Sequence, residues 1–329
     1  MEYRNLSDTE IRVSEICLGS WAFGGDAWWG PQEDRDSVET LKEAINLGIN
    51  FVDTAPVYGR DGRSESIIGA FLNKRNIRNK VILATKVGLV FKNGKINHNL
   101  SKKSMLAQMD ESRKRLRTDY IDLYQIHWPD PKQSIAKSAE LMYSFYQKGI
   151  IKSIGVSNYS LEQMEEFIKH SVLHTIQPSY NMFERSIENN IVPFCLKNKI
   201  SIINYIPLCS GILTGKFFFG QAGIPNDICR KRNIELQPPR FEINKKVMSE
   251  MKKIADKYKK TLTQLVLNWT INQKGIISAI VGSRKKNQIA DNAGSVGWVM
   301  SHEDIVSIEK LLDYRKKEIE KVEKNMSLV

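Results

Sequence analysis

Short β-type apolar runs alternate along this chain with longer stretches in which apolar positions recur at helical spacing. The runs are Ile16–Leu18, Asn50–Val52, Val81–Thr85, Ile121–Gln125, Ser153–Val156, Thr175–Gln177, Ser201–Ile206 and Ile277–Val281. Between them, Asp36–Leu47 places Val38, Leu41, Ala44 and Ile45 on one helical face and stops at Gly48. Ser101–Leu116 and Ser160–Lys169 each open on a capping serine, the second carrying Leu161, Met164 and Phe167 at helical spacing. Asn189–Asn198, Leu262–Ile271 and Lys285–Ala293 continue the alternation. At the two ends, Glu2–Val13 reads as a hairpin and Ser301–Lys324 as a charged amphipathic helix packed outside the core.

Roughly eight strand-then-helix repeats match a single α/β domain over residues 1–329, a (β/α)8 TIM barrel, better than a doubly wound sheet. The glycines of Leu18-Gly-Ser-Trp-Ala-Phe-Gly-Gly do not open a helix, so the dinucleotide-binding turn of a Rossmann fold is missing. One stretch breaks the rhythm. Leu208–Pro239, after the seventh strand, carries glycine, proline and basic residues and reads as an extended loop of the kind that covers a site.

A barrel concentrates its chemistry at the C-terminal ends of its strands. Asp53, Tyr58, Lys86 and His127 all follow or end strand runs, so the topology predicts that a carboxylate, a phenol, an ammonium and an imidazole meet on one rim. A phenol with a pKa near 10 gives up its proton reluctantly, and a neighbouring cation lowers that value. Lys86 is the candidate cation, Asp53 the carboxylate that keeps it charged, and His127 a hydrogen-bond partner for a substrate oxygen. The set suits protonation of a carbonyl oxygen. No GxSxG, HExxH or Cys/His pair supplies a nucleophile, so the remaining chemistry is expected from a cofactor. Gly282-Ser-Arg-Lys-Lys follows a strand and opens a helix, which is a phosphate-binding arrangement.

Composition adds limits. The chain has 329 residues, 41% hydrophobic and 26% charged, with no apolar run near the length of a membrane span and no apolar leader after Met1. Cys17, Cys195, Cys209 and Cys229 form no CxxC, so a reduced cytoplasmic protein without a metal site is expected. The net charge of +12 is spread over many basic clusters, Arg230–Arg232 among them. These read as solvated helix faces, and no recognition motif points to nucleic acid.

Taken together, the segments Ile49-Asn-Phe-Val-Asp-Thr-Ala-Pro-Val-Tyr-Gly, Ala84-Thr-Lys-Val-Gly, Asp119-Tyr-Ile-Asp-Leu-Tyr-Gln-Ile-His-Trp-Pro-Asp, Ile154-Gly-Val-Ser-Asn-Tyr, Ile176-Gln-Pro-Ser-Tyr-Asn, Tyr205–Lys216 and Ile280-Val-Gly-Ser-Arg resemble the aldo-keto reductases, in family order. The resemblance implies a barrel closed below by the N-terminal hairpin, NADPH extended across the top, and hydride transfer to an aldehyde, ketone or keto-sugar. It implies Tyr58 as general acid, tuned by Lys86 and Asp53, with His127 orienting the carbonyl. It implies that Ser157, Asn158 and Gln177 hold the carboxamide and that Tyr205 stacks on the nicotinamide. Gly19 and Trp21 would line the mouth near that ring, and Asp53 would also reach its ribose.

By the same resemblance Leu208, Gly211 and Lys216 approach the pyrophosphate, and Pro207 is a further cofactor contact. Ser283 and Arg284 take the 2′-phosphate, with Gly282 a further cofactor contact, and Gln288, Asp291 and Asn292 meet the adenine. Trp21, Trp28, Trp29 and Trp128 are candidate pocket walls for the substrate, beside Tyr58 and His127. Three departures stand out: the longer Arg60-Asp-Gly-Arg insertion, Ile206 where serine is frequent, and Val281 where proline is frequent. The partner expected is a small-molecule carbonyl compound, with no nucleic acid and no membrane, and a homo-oligomer is left open. The alternative is a cofactor-binding regulatory subunit resembling potassium-channel β-subunits, which keep the same four residues.

Overall fold

The structure, a computed structural model, describes residues 1–92 and 94–326. The strands are β1 (Tyr3–Asn5), β2 (Arg12–Ser14), β3 (Ile16–Gly19), β4 (Phe51–Asp53), β5 (Ile82–Val87), β6 (Leu89–Lys92), β7 (Lys95–His98), β8 (Leu123–Ile126), β9 (Ile154–Ser157), β10 (Thr175–Gln177), β11 (Ser201–Tyr205) and β12 (Ile276–Gly282). The helices are α1 (Asp34–Asn46), α2 (Arg63–Arg75), α3 (Lys102–Leu116), α4 (Ile135–Gln147), α5 (Leu161–Phe167), α6 (Ile191–Lys197), α7 (Ile228–Lys231), α8 (Arg240–Lys257), α9 (Leu262–Ile271), α10 (Lys286–Ala293) and α11 (His302–Met326). Eight strands close a parallel barrel in the order β10-β11-β12-β3-β4-β5-β8-β9, as the strand and helix periods predicted.

Side chains alternate in and out along a strand, and both faces of this sheet are covered. Cys17, Phe51, Ala84, Leu123, Ile203 and Ile280 fill the barrel interior together with Leu6 and Val13. Leu6 follows β1 and Val13 lies in β2, so the N-terminal hairpin plugs the lower end. The intervening residues, among them Leu18, Val52, Leu83 and Tyr124, turn outward into the layer shared with the helices. This parity decides the site: Asp53, Lys86 and Gln125 stand two residues beyond Phe51, Ala84 and Leu123, so they point inward one layer higher.

Serine caps the start of α3 and of α5, the latter with a full capping box in which Gln163 reciprocates Ser160. The stretch 208–239 is not an unstructured loop. It holds 3-10 turns at Cys209–Thr214 and Ile234–Leu236, and α7 between them. Arg315 of α11 bonds Glu235, and Arg240 bonds both Glu235 and Glu323, so the C-terminal helix holds this segment down. The ribbon β6–β7 is an element the apolar pattern did not announce. No helix among the described residues is long and apolar enough to cross a membrane.

Candidate active site

Asp53, Tyr58, Lys86 and His127 meet at the upper end of the barrel. Lys86 is fully buried, with Nζ donating to Asp53 Oδ2 at 2.5 Å, to the Thr54 carbonyl at 3.0 Å and to the Tyr58 hydroxyl at 3.2 Å. The His127 ring stands edge-on to Tyr58, with centroids 5.8 Å apart, and Trp21 stacks on the other side of the phenol at 5.6 Å. His127 is fixed through its backbone N–H, which donates to the Val87 carbonyl at 2.9 Å.

Tyr58 lies beyond the end of β4, so its position is set by the loop. Its carbonyl accepts from Ser64 N–H at 3.1 Å, and Ser64 Oγ donates into Ser20. Ser20 Oγ in turn donates to the Asp53 carbonyl at 2.8 Å. The Arg60-Asp-Gly-Arg insertion forms a 3-10 turn in which Asp61 takes φ 54° and Gly62 φ 69°.

The charges settle in an order that sequence alone did not give. Burial works against the Lys86 charge, yet the Asp53 carboxylate and Tyr58 outweigh it and the amine holds its proton more firmly than a free lysine. Burial likewise dominates at Tyr58. It pushes the phenol up to about 12, although Lys86 pulls the other way as expected. The phenol is therefore a proton holder through the whole neutral range. Burial, then Lys86, then His98 hold His127 well below the usual imidazole value, so its ring is neutral. Its Nδ1 is buried without a partner among the described residues.

Asp53 is held from its other oxygen as well. Oδ1 accepts from Gln177 Nε2 at 2.9 Å and from Gln125 Nε2 at 3.3 Å, and the two amides bond each other at 3.3 Å. Gln125 was not singled out from the sequence. Gly155 makes room for it, since a Cβ there would lie 2.8 Å from Gln125 Cγ.

A cavity of about 950 Å³ opens over this cluster. Gly19, Trp21, Trp28, Trp29, Asp53, Tyr58, His127 and Trp128 line it around this cluster. Ser157, Asn158, Gln177, Tyr205, Pro207, Leu208 and Gly211 continue the wall, with Lys216, Gly282, Arg284, Gln288, Asp291 and Asn292 beyond. Two expected residues are off the wall. Lys86 lies behind Tyr58. Ser283 is fully buried, with Oγ accepting the Asn292 amide at 2.9 Å.

Asn158, at φ 59°, donates to the His127 carbonyl at 3.0 Å and to Ser157 Oγ at 3.1 Å, and accepts the Tyr205 hydroxyl at 2.8 Å. It thus ties the loops after β8 and β9 to the end of β11. Ile206 takes φ 56°, a left-handed conformation that is costly for a β-branched residue and typical of functional sites.

The basic cluster Arg230–Arg232 is not wholly a solvated face. Arg230 is buried, ion-paired with Asp227 and laid over the Trp29 ring at 5.4 Å. Arg284 donates Nε to Gln32 at 2.9 Å, Nη1 to the Trp29 carbonyl at 2.9 Å, and Nη2 to the Pro31 carbonyl. Burial first, then Arg230 and Arg284, lower the Lys216 pKa, and burial followed by Arg230 lowers that of Arg284. Three cations share this region with two carboxylates, Asp227, already engaged by Arg230, and Asp36, which acts on Arg284. Beside them Trp29 Nε1 is a buried donor without a partner among the described residues. Surplus positive charge and an unused donor on a cavity wall fit the phosphates of a dinucleotide.

Comparison with known proteins agrees. The model of the aldo/keto reductase family matches residues 15–313. The aldo-keto reductase YhdN of Bacillus subtilis (strain 168) is 40% identical over 95% of this chain and 94% of its own. The NADH-specific methylglyoxal reductase of Escherichia coli (strain K12) is 29% identical over 94% and 97%, and a probable voltage-gated potassium channel subunit beta of Arabidopsis thaliana is 29% identical over 96% and 98%. Among solved structures, a glycerol dehydrogenase from Gluconobacter oxydans superposes with a TM-score of 0.87 at 36% identity, covering 95% of each chain. The holo form of an aldo-keto reductase from Bacillus halodurans gives 0.78 at 26% identity, covering 94% and 96%. The closed barrel, the proton-holding cluster at its rim and these likenesses lead to one assignment: this chain belongs to the aldo/keto reductase family of nicotinamide-dependent oxidoreductases.

Proposed function

We propose that this chain is an NADPH-dependent carbonyl reductase acting on an aldehyde, ketone or keto-sugar, with Tyr58 as the general acid. The observation that carries the reading is the Lys86 amine bridging Asp53 Oδ2 at 2.5 Å and the Tyr58 hydroxyl at 3.2 Å beneath an open cavity. Tyr58 keeps its proton until a carbonyl oxygen begins to take negative charge. Lys86, its own charge fixed by Asp53, then stabilises the phenolate left behind. A neutral His127 offers the same oxygen a hydrogen bond. Asp53 is pinned by Gln125 and Gln177, so the Lys86 position does not drift.

The cofactor supplies the hydride when bound. Lys216, Arg230 and Arg284 would hold its phosphates, with Trp29 Nε1 as a further donor, and Ser157, Asn158 and Gln177 would face its carboxamide. Preference for NADPH rests on Arg284, whose guanidinium has N–H groups left over after its bonds to Gln32, Trp29 and Pro31. The NADH-specific relative makes this the point on which the cofactor assignment turns.

Tyr58→Phe tests the acid. Loss of general acid catalysis costs about 10²–10⁴-fold in turnover, and NADPH binding, followed by fluorescence, should be retained. Full activity in that variant would overturn the assignment. The channel-subunit likeness supports a second reading, cofactor binding without sustained turnover. Multiple turnovers with simple aldehydes would exclude it.

A further inference from the structure

The ribbon β6–β7 leaves the barrel directly after the strand that carries Lys86. Its register pairs Leu89 with His98 and Phe91 with Ile96. Opposed residues of an antiparallel pair share a face, and so do residues two apart. Leu89, Phe91, Ile96 and His98 therefore lie on one face, with Lys92 and Lys95 on the other. The first face is turned to the site, since Leu89, Ile96 and His98 line the cavity. Two contacts hold it there. Gly88, at φ 103°, turns the chain and accepts Asn99 N–H at 2.8 Å, and His98 Nδ1 lies 2.9 Å from the Pro129 carbonyl. A carbonyl only accepts, so that nitrogen carries the proton.

Other apolar side chains complete the rim. Trp28 packs on Trp21 at 5.9 Å, Trp21 stacks on Tyr58, and Trp128 follows His127. Trp28, Trp128 and Ile96 line the cavity and remain 42%, 42% and 44% exposed, and Phe91, opposite Ile96 on the ribbon and just outside that lining, is 56% exposed. Exposed large apolar residues are unremarkable singly, but grouped around a cavity they mark a surface that something apolar covers. The cavity-lining residues of the ribbon and of the loop after β8 include no fixed charge. The lining cations Lys216, Arg230, Lys252, Lys260 and Arg284 come from the segment between β11 and β12 and the turn after β12, and the carboxylate Asp26 comes from the loop after β3.

Building on the reductase reading above, we infer that the substrate is an uncharged carbonyl compound with an apolar aryl or medium-chain alkyl substituent. That substituent lies on the Leu89–Phe91–Ile96 face of the ribbon, which sets specificity. A phosphate or a run of hydroxyls would have to shed water against this wall, where His98 is the polar side chain on offer and one of its nitrogens is already used.

The test is a chain-length series from propanal to octanal, with benzaldehyde, glyceraldehyde and glyceraldehyde 3-phosphate alongside, assayed with NADPH. Each methylene buried on the ribbon should raise kcat/KM about fourfold, so that hexanal exceeds propanal about sixtyfold. The phosphorylated triose should fall below hexanal by more than about a hundredfold. Ile96→Ser and Phe91→Ser should each cut the hexanal-to-propanal ratio at least about fivefold. Both side chains are partly in water, so thermal melting should stay near the native value.

A flat or falling series, or a preference for the phosphorylated triose, overturns the inference while leaving the reductase reading intact. Absence of turnover with every carbonyl removes the reductase reading. In that event 1-hexanol and glycerol, titrated against tryptophan fluorescence of the NADP⁺ complex, still decide: tighter binding of hexanol supports the apolar wall, and equal or weaker binding overturns it.

Discussion

Gly24 and Gly59 meet backbone to backbone: a Cβ on Gly24 would lie 2.4 Å from the Gly59 nitrogen and 2.7 Å from the Tyr58 carbonyl carbon. Gly59 itself needs φ 83°, which suits glycine alone at so tight a contact. The loop after β3, carrying Trp21, thus seats the loop after β4, carrying Tyr58. Gly24→Ala cannot be absorbed by a flexible side chain and must push the phenol away from Lys86. A displacement of about 1 Å costs about a hundredfold in turnover. Steady-state kinetics should show that loss in kcat, and NADPH titration should change far less. Unaltered kcat would mean that the two loops move together.

A second expectation concerns the buried ion pair. Lys86→Met leaves Asp53, 2% exposed, without its cation. Removing one partner of such a pair costs about 3–5 kcal/mol of stability. Asp53→Asn added to Lys86→Met removes the stranded charge, and the neutral amide can still bond Gln125 and Gln177. Denaturant unfolding should place the double variant above the Lys86→Met single variant in stability, although both lack turnover. A double variant no more stable than the single would show that Asp53 does not carry the penalty.

Much of this site is legible because strand parity is simple. Once Phe51, Ala84 and Leu123 are taken as inward, Asp53 and Lys86 must be inward too, and their chemistry draws attention. Gln125 obeys the same parity and escapes notice, because a neutral amide in a strand looks like any other strand residue. The ribbon β6–β7 was also signalled, by Asn93-Gly94 between Phe91 and Ile96. Lys92 and Lys95 beside the dipeptide make the segment read as a polar loop.

Arg230 was hidden for a different reason. Its burial depends on Trp29, which approaches from a distant loop, and no local spacing encodes that contact. Desolvation of Tyr58 is hidden in the same way. The attraction of Lys86 can be read from residue types, but the larger opposing effect is burial of the phenol, against which the Trp21 and His127 rings pack from other loops.

That desolvation gives a prediction about pH. As the proposed general acid Tyr58 has to be protonated, and burial holds it up to about 12. His127 is kept neutral by a pKa well below 6.5, so it gains no charge as pH falls through that value. Reduction should therefore have no acidic limb near pH 6.5. Its rate should stay level from there to about pH 10 and fall only as the phenol ionises at higher pH. The direction follows from the acid form being the active one. A profile of kcat/KM against pH checks it, and a midpoint near pH 7–8 would mean that another group limits the rate.

Arg284 performs two tasks whose effects can be separated. Its side chain braces the Trp29–Gln32 loop and also lines the cavity. Arg284→Ala removes both the brace and the charge. If the guanidinium meets a 2′-phosphate, one charge-assisted bond of about 1.5–3 kcal/mol is lost with NADPH and not with NADH. The NADPH-over-NADH ratio of kcat/KM should then drop about tenfold to a hundredfold. Gln32→Leu removes a partner of the brace and leaves the charge, so it should weaken both cofactors alike and leave the ratio unchanged. Kinetics with the two cofactors across the two variants distinguish these outcomes. Equal use of NADH and NADPH by the native chain would show that Arg284 serves only to close the loop.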